Sequence, residues 1–340
     1  MKKKILSVLL AATMLASVAS LAGCGSSAST TNKLGMGIVV KDSTSTGNAQ
    51  IDATVAAVVT DADGKIVSCS LDVAQTKLSD EEGTLGDVAS VDLRSKQEKG
   101  SDYGMVAYGG AIAEWNEQAD FFAQQVVGKT ADEVASLATN VNESGHTVAA
   151  DEAILAGCTM DITAFQEAIV KACKDEYAKE FSAKSFKLGL GIITEVDSSS
   201  VSASADADGA ANMYSHFAAV AVDENGKILA DLIDAIQPKI SFNTAGEETA
   251  FDFTDTKKYL KENYNMVTYG GSVGEWYEET TAFENYIVGK DSDGVTGIAT
   301  TVNEEGNAVA TDADADLVAS CTIAINTFQE AVAKAIANAK

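Results

Sequence analysis

Two threonines stand in nearly the same setting, Thr159 at the end of "AGCT" and Thr322 at the end of "ASCT". A threonine hydroxyl can be esterified by a phosphate. Small residues before it leave the backbone open to the active site of another enzyme. Cys158 and Cys321, next to them, fill a small-residue slot and read as buried small hydrophobes. Few other groups here can do chemistry. His146 and His216 are the only histidines, which argues against a histidine metal site or a His-based triad. Cys69, Cys158, Cys173 and Cys321 match no zinc spacing and include no CxxC. The acidic run "TDADADL" lacks the closing Glu of a calcium loop and reads as solvated.

The threonines occupy equivalent points of a chain written twice. "KLGMGI" at Lys33 returns as "KLGLGI" at Lys187, and "DYGMVAYGG" at Asp102 returns as "NYNMVTYGG" at Asn263. Glu114-Trp115 returns as Glu275-Trp276, and "AGCTMDITAFQEAI" returns as "ASCTIAINTFQEAV". The tandem units span about residues 33–184 and 185–340, which agrees with a prior of about 100–200 residues per domain. In each, two strand-like runs flank a turn, at Asp63-Gly64 and Asn225-Gly226, and predict a β-hairpin. Trp115, Ala119, Phe122 and Val126 then share one helical face, as do Trp276, Phe283 and Ile287. A short helix is expected near residues 130–138, and a last helix carries Ile162, Phe165, Ile169 and Cys173 on one face. Thr163 with Gln166, and Asn326 with Gln329, have capping-box spacing at its start. The expected fold class is α+β: two tandem homologous domains, each a small antiparallel sheet followed by helices. Beyond apolar faces, both units keep Lys96/Lys257, Tyr103/Tyr264, Met105/Met266, Tyr108/Tyr269, Gly109-Gly110/Gly270-Gly271 and the two Cys-Thr pairs.

The N-terminus supplies an address. Lys2, Lys3 and Lys4 precede an apolar run too short to span a bilayer, the pattern of a secretory signal. Its end, Leu21-Ala22-Gly23-Cys24, resembles the lipobox of bacterial lipoproteins. That resemblance implies a signal peptide at residues 1–23, lipid on the Cys24 thiol, and a Ser/Thr-rich tether at residues 24–32. The expected location is the outer face of the cell membrane. Net charge is −26, and loss of the three signal lysines takes it to −29. So acidic a surface argues against nucleic acid or anionic lipid as a partner.

"DLVASCT", ending at Thr322, resembles the flavinylation motif D-x-x-[SA]-[GS]-[AC]-T. The first unit reads "AILAGCT", with Ala153 in the Asp slot and Cys before both threonines. Anchor, duplicated unit, GKI hairpin, Lys-then-YGM segment and EW helix together resemble the flavinylated lipoproteins of Gram-positive extracellular electron transfer, the PplA type. The resemblance implies FMN joined through its phosphate to Thr159 and Thr322 by a flavin transferase, with Thr322 modified more fully if the Asp matters. The start of the following helix suits a phosphodiester. Lys96 or Lys257 would add counter-charge, and Tyr108, Tyr269, Trp115 and Trp276 would stack on the ring. The plainer readings are helix-start threonines, core tryptophans and solvated lysines. The implied function is an electron carrier rather than a substrate-converting enzyme. It would take electrons from a membrane quinol-oxidising system and pass them to free flavins or external acceptors. The rival classes are a ligand-binding surface lipoprotein without covalent cofactor, and a structural or adhesive repeat.

Overall fold

The computed structural model describes residues 31–270 and 272–340. The signal segment, Cys24, the tether as far as residue 30, and Gly271 lie outside the described residues. The fold is α+β with antiparallel sheets, as the sequence predicts.

The first half runs β1 (Thr31–Asp42), β2 (Asn48–Thr60), β3 (Ile66–Ser79), α1 (Lys96–Lys99), α2 (Met105–Gly109), α3 (Trp115–Gln125), α4 (Ala131–Ala135), β4 (Thr139–Val141), β5 (Thr147–Ala149), α5 (Glu152–Leu155), α6 (Thr163–Cys173) and β6 (Lys179–Ser182). The second runs β7 (Lys187–Val196), β8 (Gly209–Val222), β9 (Ile228–Ile236), β10 (Lys239–Phe242), β11 (Glu248–Asp252), α7 (Lys257–Leu260), a π-type turn at Met266–Gly270, α8 (Trp276–Ile287), α9 (Ser292–Thr296), β12 (Thr300–Val302), β13 (Ala308–Ala310), α10 (Ala315–Val318) and α11 (Asn326–Ala337). The predicted hairpins are β2–β3 and β8–β9. Their turns carry left-handed glycines, Gly64 at φ +75° and Gly226 at φ +76°.

The repeated "KLGxGI" is a strand with a steric reason for its glycines. A Cβ at Gly37 would meet the Ala168 carbonyl oxygen at 2.1 Å, and one at Gly191 would meet that of Ala331 at 2.2 Å. Helices α6 and α11 thus lie directly on the backbones of β1 and β7. Pro238, the only proline, separates β9 from β10 where the first half has the continuous β3, because proline donates nothing to a ladder.

Two expectations are corrected. Residues 31 and 32, assigned to the tether, belong to β1, where Thr31 pairs with Ser182 and Asn32 with Phe181. The capping boxes do not form at α6 and α11. Gln166 instead donates to the Val134 carbonyl, and Gln329 to those of Val295 and Ile298, tying each last helix to the short helix before it.

The halves are not separate packing units. Alternate residues of each sheet point inward, so Met36, Val55 and Ala57 of one sheet meet Leu190, Phe217 and Leu232 of the other in one core. The opposite faces carry the helices, with Val58, Leu71 and Val73 under α3 and α6, and Val220 and Ile233 under α8 and α11. The order of layers is helices, sheet, sheet, helices. At the seam, Lys258 and Lys179 pair with the buried Glu284. Lys334 of α11 pairs with Glu98 of α1 at 2.8 Å.

Candidate functional site

The site grows from the EW helix. Glu275 caps α8 reciprocally with Glu278, and its side chain accepts from the Met266 and Val267 N–H groups at 2.8 and 3.2 Å. Glu114 does the same for Met105 and Val106 at the same distances. The repeated glutamate thus clamps the start of the YGG loop to the helix.

Another buried carboxylate, on the hairpin, sets the lysine. Asp234 on β9 accepts from the N–H groups of Ala235 and Lys258 and from the Thr256 hydroxyl. Asp72 on β3 accepts from the N–H groups of Val73 and Gln97. Burial pushes both carboxyls up to about 6, against these hydrogen bonds. They fix the turns that carry Lys96 and Lys257.

The two lysines then meet different surroundings. Lys96 lies 3.7 Å from Asp52, with its ammonium 5.0 Å from the Tyr103 ring and 5.7 Å from the Trp115 ring. In the second half Tyr214 replaces that aspartate. Lys257 is 4% exposed, donates to the Tyr214 hydroxyl, and sits 4.1, 4.6 and 6.0 Å from the rings of Tyr214, Tyr264 and Trp276. Burial pulls its pKa from 10.5 to about 7, against the opposing pull of Asp234 and Asp197. The aromatic faces favour a cation, but not enough to offset lost hydration.

Lys257, Trp276 and Thr322 line one cavity of about 800 Å³, within the usual range for small-molecule sites. Its rim is the YGG loop on one side and the β12–β13 hairpin on the other, and its floor includes the start of α11. His216 also lines it, 5% exposed, with Nδ1 unpartnered among the described residues. Burial and the neighbouring Lys257 hold that imidazole down at about 3, so it is neutral. The first turn of α11 has no side-chain cap and faces the cavity through Asn326 and Thr327. In the first half Asp161, at the position of Ala324, occupies the equivalent helix start. It accepts from the Thr163 and Thr147 N–H groups at 2.9 and 2.8 Å. Those bonds outweigh its burial and hold its carboxyl below the usual range.

The threonines are held by α3 and α8. Thr322 donates through Oγ1 to the Glu279 carboxylate at 3.0 and 3.3 Å, and its N–H donates to the same group. Thr159 makes the corresponding bonds to the Gln118 side-chain oxygen, at 2.9 Å from nitrogen and 3.3 Å from Oγ1. Cys158 and Cys321 are buried and unbridged among the described residues, and burial raises both thiols. Asp316 of the motif is exposed on α10.

Trp115 and Trp276 are core residues, edge-on to Phe165 and Phe328, and Trp276 also reaches the cavity wall. Tyr108 and Tyr269 are not drawn in. They are 93% and 85% exposed, because the loop clamped by Glu114 and Glu275 turns their rings to solvent. The site therefore gathers Lys257, Trp276 and Thr322, and leaves Tyr269 outside. Sequence reasoning missed Glu279, Gln118, Asp72, Asp234, Tyr214 and His216. One signal was available, at Gln118: it is the polar residue on the otherwise apolar stripe of α3, whereas Glu279 shares the buried side of α8 with Thr280 and Glu284.

Comparison with protein-family models, with curated proteins and with solved structures returns no match for this chain.

Proposed function

We propose that the chain is a membrane-anchored, extracytoplasmic electron carrier holding covalent FMN on Thr322, and on Thr159 in the first half. The observation that carries this reading is a threonine hydroxyl on the wall of a cavity that offers an uncapped helix start, a buried lysine and an indole together. An FMN fits that set. The start of α11 would hold the phosphate, and Trp276, Tyr214 and Tyr264 would hold the flat ring. When bound, the flavin supplies one- and two-electron redox chemistry, and the protein supplies position and charge. Lys257 takes up a proton as negative charge enters the cavity, since its pKa near 7 leaves it partly neutral beforehand. His216 Nδ1, which lacks a partner among the described residues, would be available to accept a hydrogen bond from the bound group. A covalent link also suits a chain of net charge −26, which attracts a free anionic nucleotide poorly.

The attaching enzyme, a quinone-linked donor and flavin or extracellular acceptors are the partners this reading requires. A solute receptor is the second reading, supported by the same cavity. Every described residue that lines the cavity belongs to the second half, which does not favour a cleft between two lobes closing on a solute. The test is the mass of mature protein co-expressed with a flavin transferase. Thr322→Ala and Thr159→Ala should each remove the mass of one FMN, and yellow fluorescence should survive denaturation. Unchanged mass removes that site from the reading.

A further inference from the structure

We propose that Glu279 is the base for esterification of Thr322, so that the protein contributes a catalytic residue to its own modification; this rests on the flavin reading above. Glu279 is 1% exposed and touches the reacting oxygen directly, with Oε2 3.0 Å and Oε1 3.3 Å from Thr322 Oγ1. The Gly274, Thr322 and Ile323 N–H groups also donate to it, which fixes its orientation. Thr322 lines the cavity while its hydroxyl hydrogen points away, into the protein, at Glu279. That leaves an oxygen lone pair for a phosphorus atom arriving from the cavity.

Free FMN is a poor donor, because water would have to be expelled from its phosphate. The donor is a flavin nucleotide activated as a phosphoanhydride, that is, a flavin dinucleotide. Thr322 Oγ1 forms a bond to the flavin-side phosphorus. The phosphoanhydride P–O bond breaks, and its electron pair leaves with a nucleoside monophosphate. The hydroxyl proton passes to Glu279. Charge balances: the anhydride's two negative charges and the carboxylate's one become one on the new diester, two on the leaving monophosphate and none on Glu279. Neutralising Glu279 also avoids leaving a buried carboxylate beside the new phosphodiester anion.

The first half lacks this device. Gln118 Oε1 accepts from Thr159, and its Nε2 donates to the Ala113 carbonyl at 2.8 Å. An amide cannot take the proton, so Thr159 depends wholly on the attaching enzyme. Gln118 also demonstrates that glutamine is accommodated in this place.

The experiment follows both threonines by peptide mass spectrometry after mixing unmodified mature protein with flavin transferase and flavin dinucleotide. A positioned general base contributes about 10²–10⁴-fold. Glu279→Gln should therefore slow Thr322 at least tenfold through kcat, with KM and the Thr159 rate unchanged. Gln118→Glu should accelerate Thr159. Wild-type rates at Thr322 in a folded Glu279→Gln protein, or no gain at Thr159 in Gln118→Glu, overturn this proposal alone. No flavin at either threonine of the unsubstituted protein overturns the flavin reading and this proposal with it.

Discussion

Lys257→Met removes a buried cation that has aromatic faces and one hydroxyl around it. The folded protein holds Lys257 at about 7 against an ordinary 10.5, with burial as the cause. The unfolded chain binds the proton more tightly, so folding expels it anywhere between those values. The penalty is fully present below about 7, shrinks as pH rises, and is gone at 10.5. Its ceiling is roughly 5 kcal/mol, at about 1.4 kcal/mol per pH unit. Methionine keeps most of the side-chain length and has no proton to lose. The variant should therefore be more stable than the parent at pH 7.5. The gap should close by about 3 kcal/mol by pH 9.5, since one proton is released per molecule folded. Urea unfolding of flavin-free protein at five pH values measures it. All other titrating groups are shared, so subtracting the two curves isolates Lys257. Parallel curves across that window would refute the claim that burial sets the proton affinity of this lysine.

Other outcomes follow from the same geometry. Gly37→Ala drives a methyl into the Ala168 carbonyl at 2.1 Å and should cost at least ~2 kcal/mol in urea unfolding; an unchanged midpoint would contradict the close seat of α6 on β1. Asp161→Ala leaves the Thr163 and Thr147 N–H groups without their acceptor and should cost about 1 kcal/mol at pH 7. Because Asp161 titrates lower when folded, parent and variant should converge as pH falls below about 4, readable in acid unfolding curves. Glu275→Ala releases the Met266 and Val267 N–H groups, and hydrogen exchange in residues 264–270 should rise at least tenfold, equivalent to about 1.4 kcal/mol.

Much of this fold is legible in the sequence, because its signals are local and occur twice. The hairpins announce themselves through Asp63-Gly64 and Asn225-Gly226, and α3 and α8 through the spacing of their aromatic residues. The role of "KLGxGI" is not legible, because its glycines answer to helices more than 130 residues away along the chain. Nor is the shared core. A strand buried on both faces loses its alternation, and "ATVAAVV" carries no mark of which face meets a helix and which a second sheet. At the site, Thr322, Lys257 and Trp276 could be named from recurrence alone. Asp234, Tyr214 and Glu279 could not, since each matters through a contact at least 20 residues away. Tyr269 misled for the opposite reason: repetition marks a constrained loop as readily as a contact.

The back-to-back sheets have a consequence for traffic at the surface. Thr159 and Thr322 belong to opposite outer layers, and two sheets stacked about 10 Å apart lie between them. A visitor seated on one threonine cannot reach the other without letting go. Each side must be served by its own encounter, and molecules finished on one side only are the natural halfway product. Under the proposed lipid anchor, rotation of the whole particle, rather than any path through the dry middle, would bring each face round to whatever waits beside it.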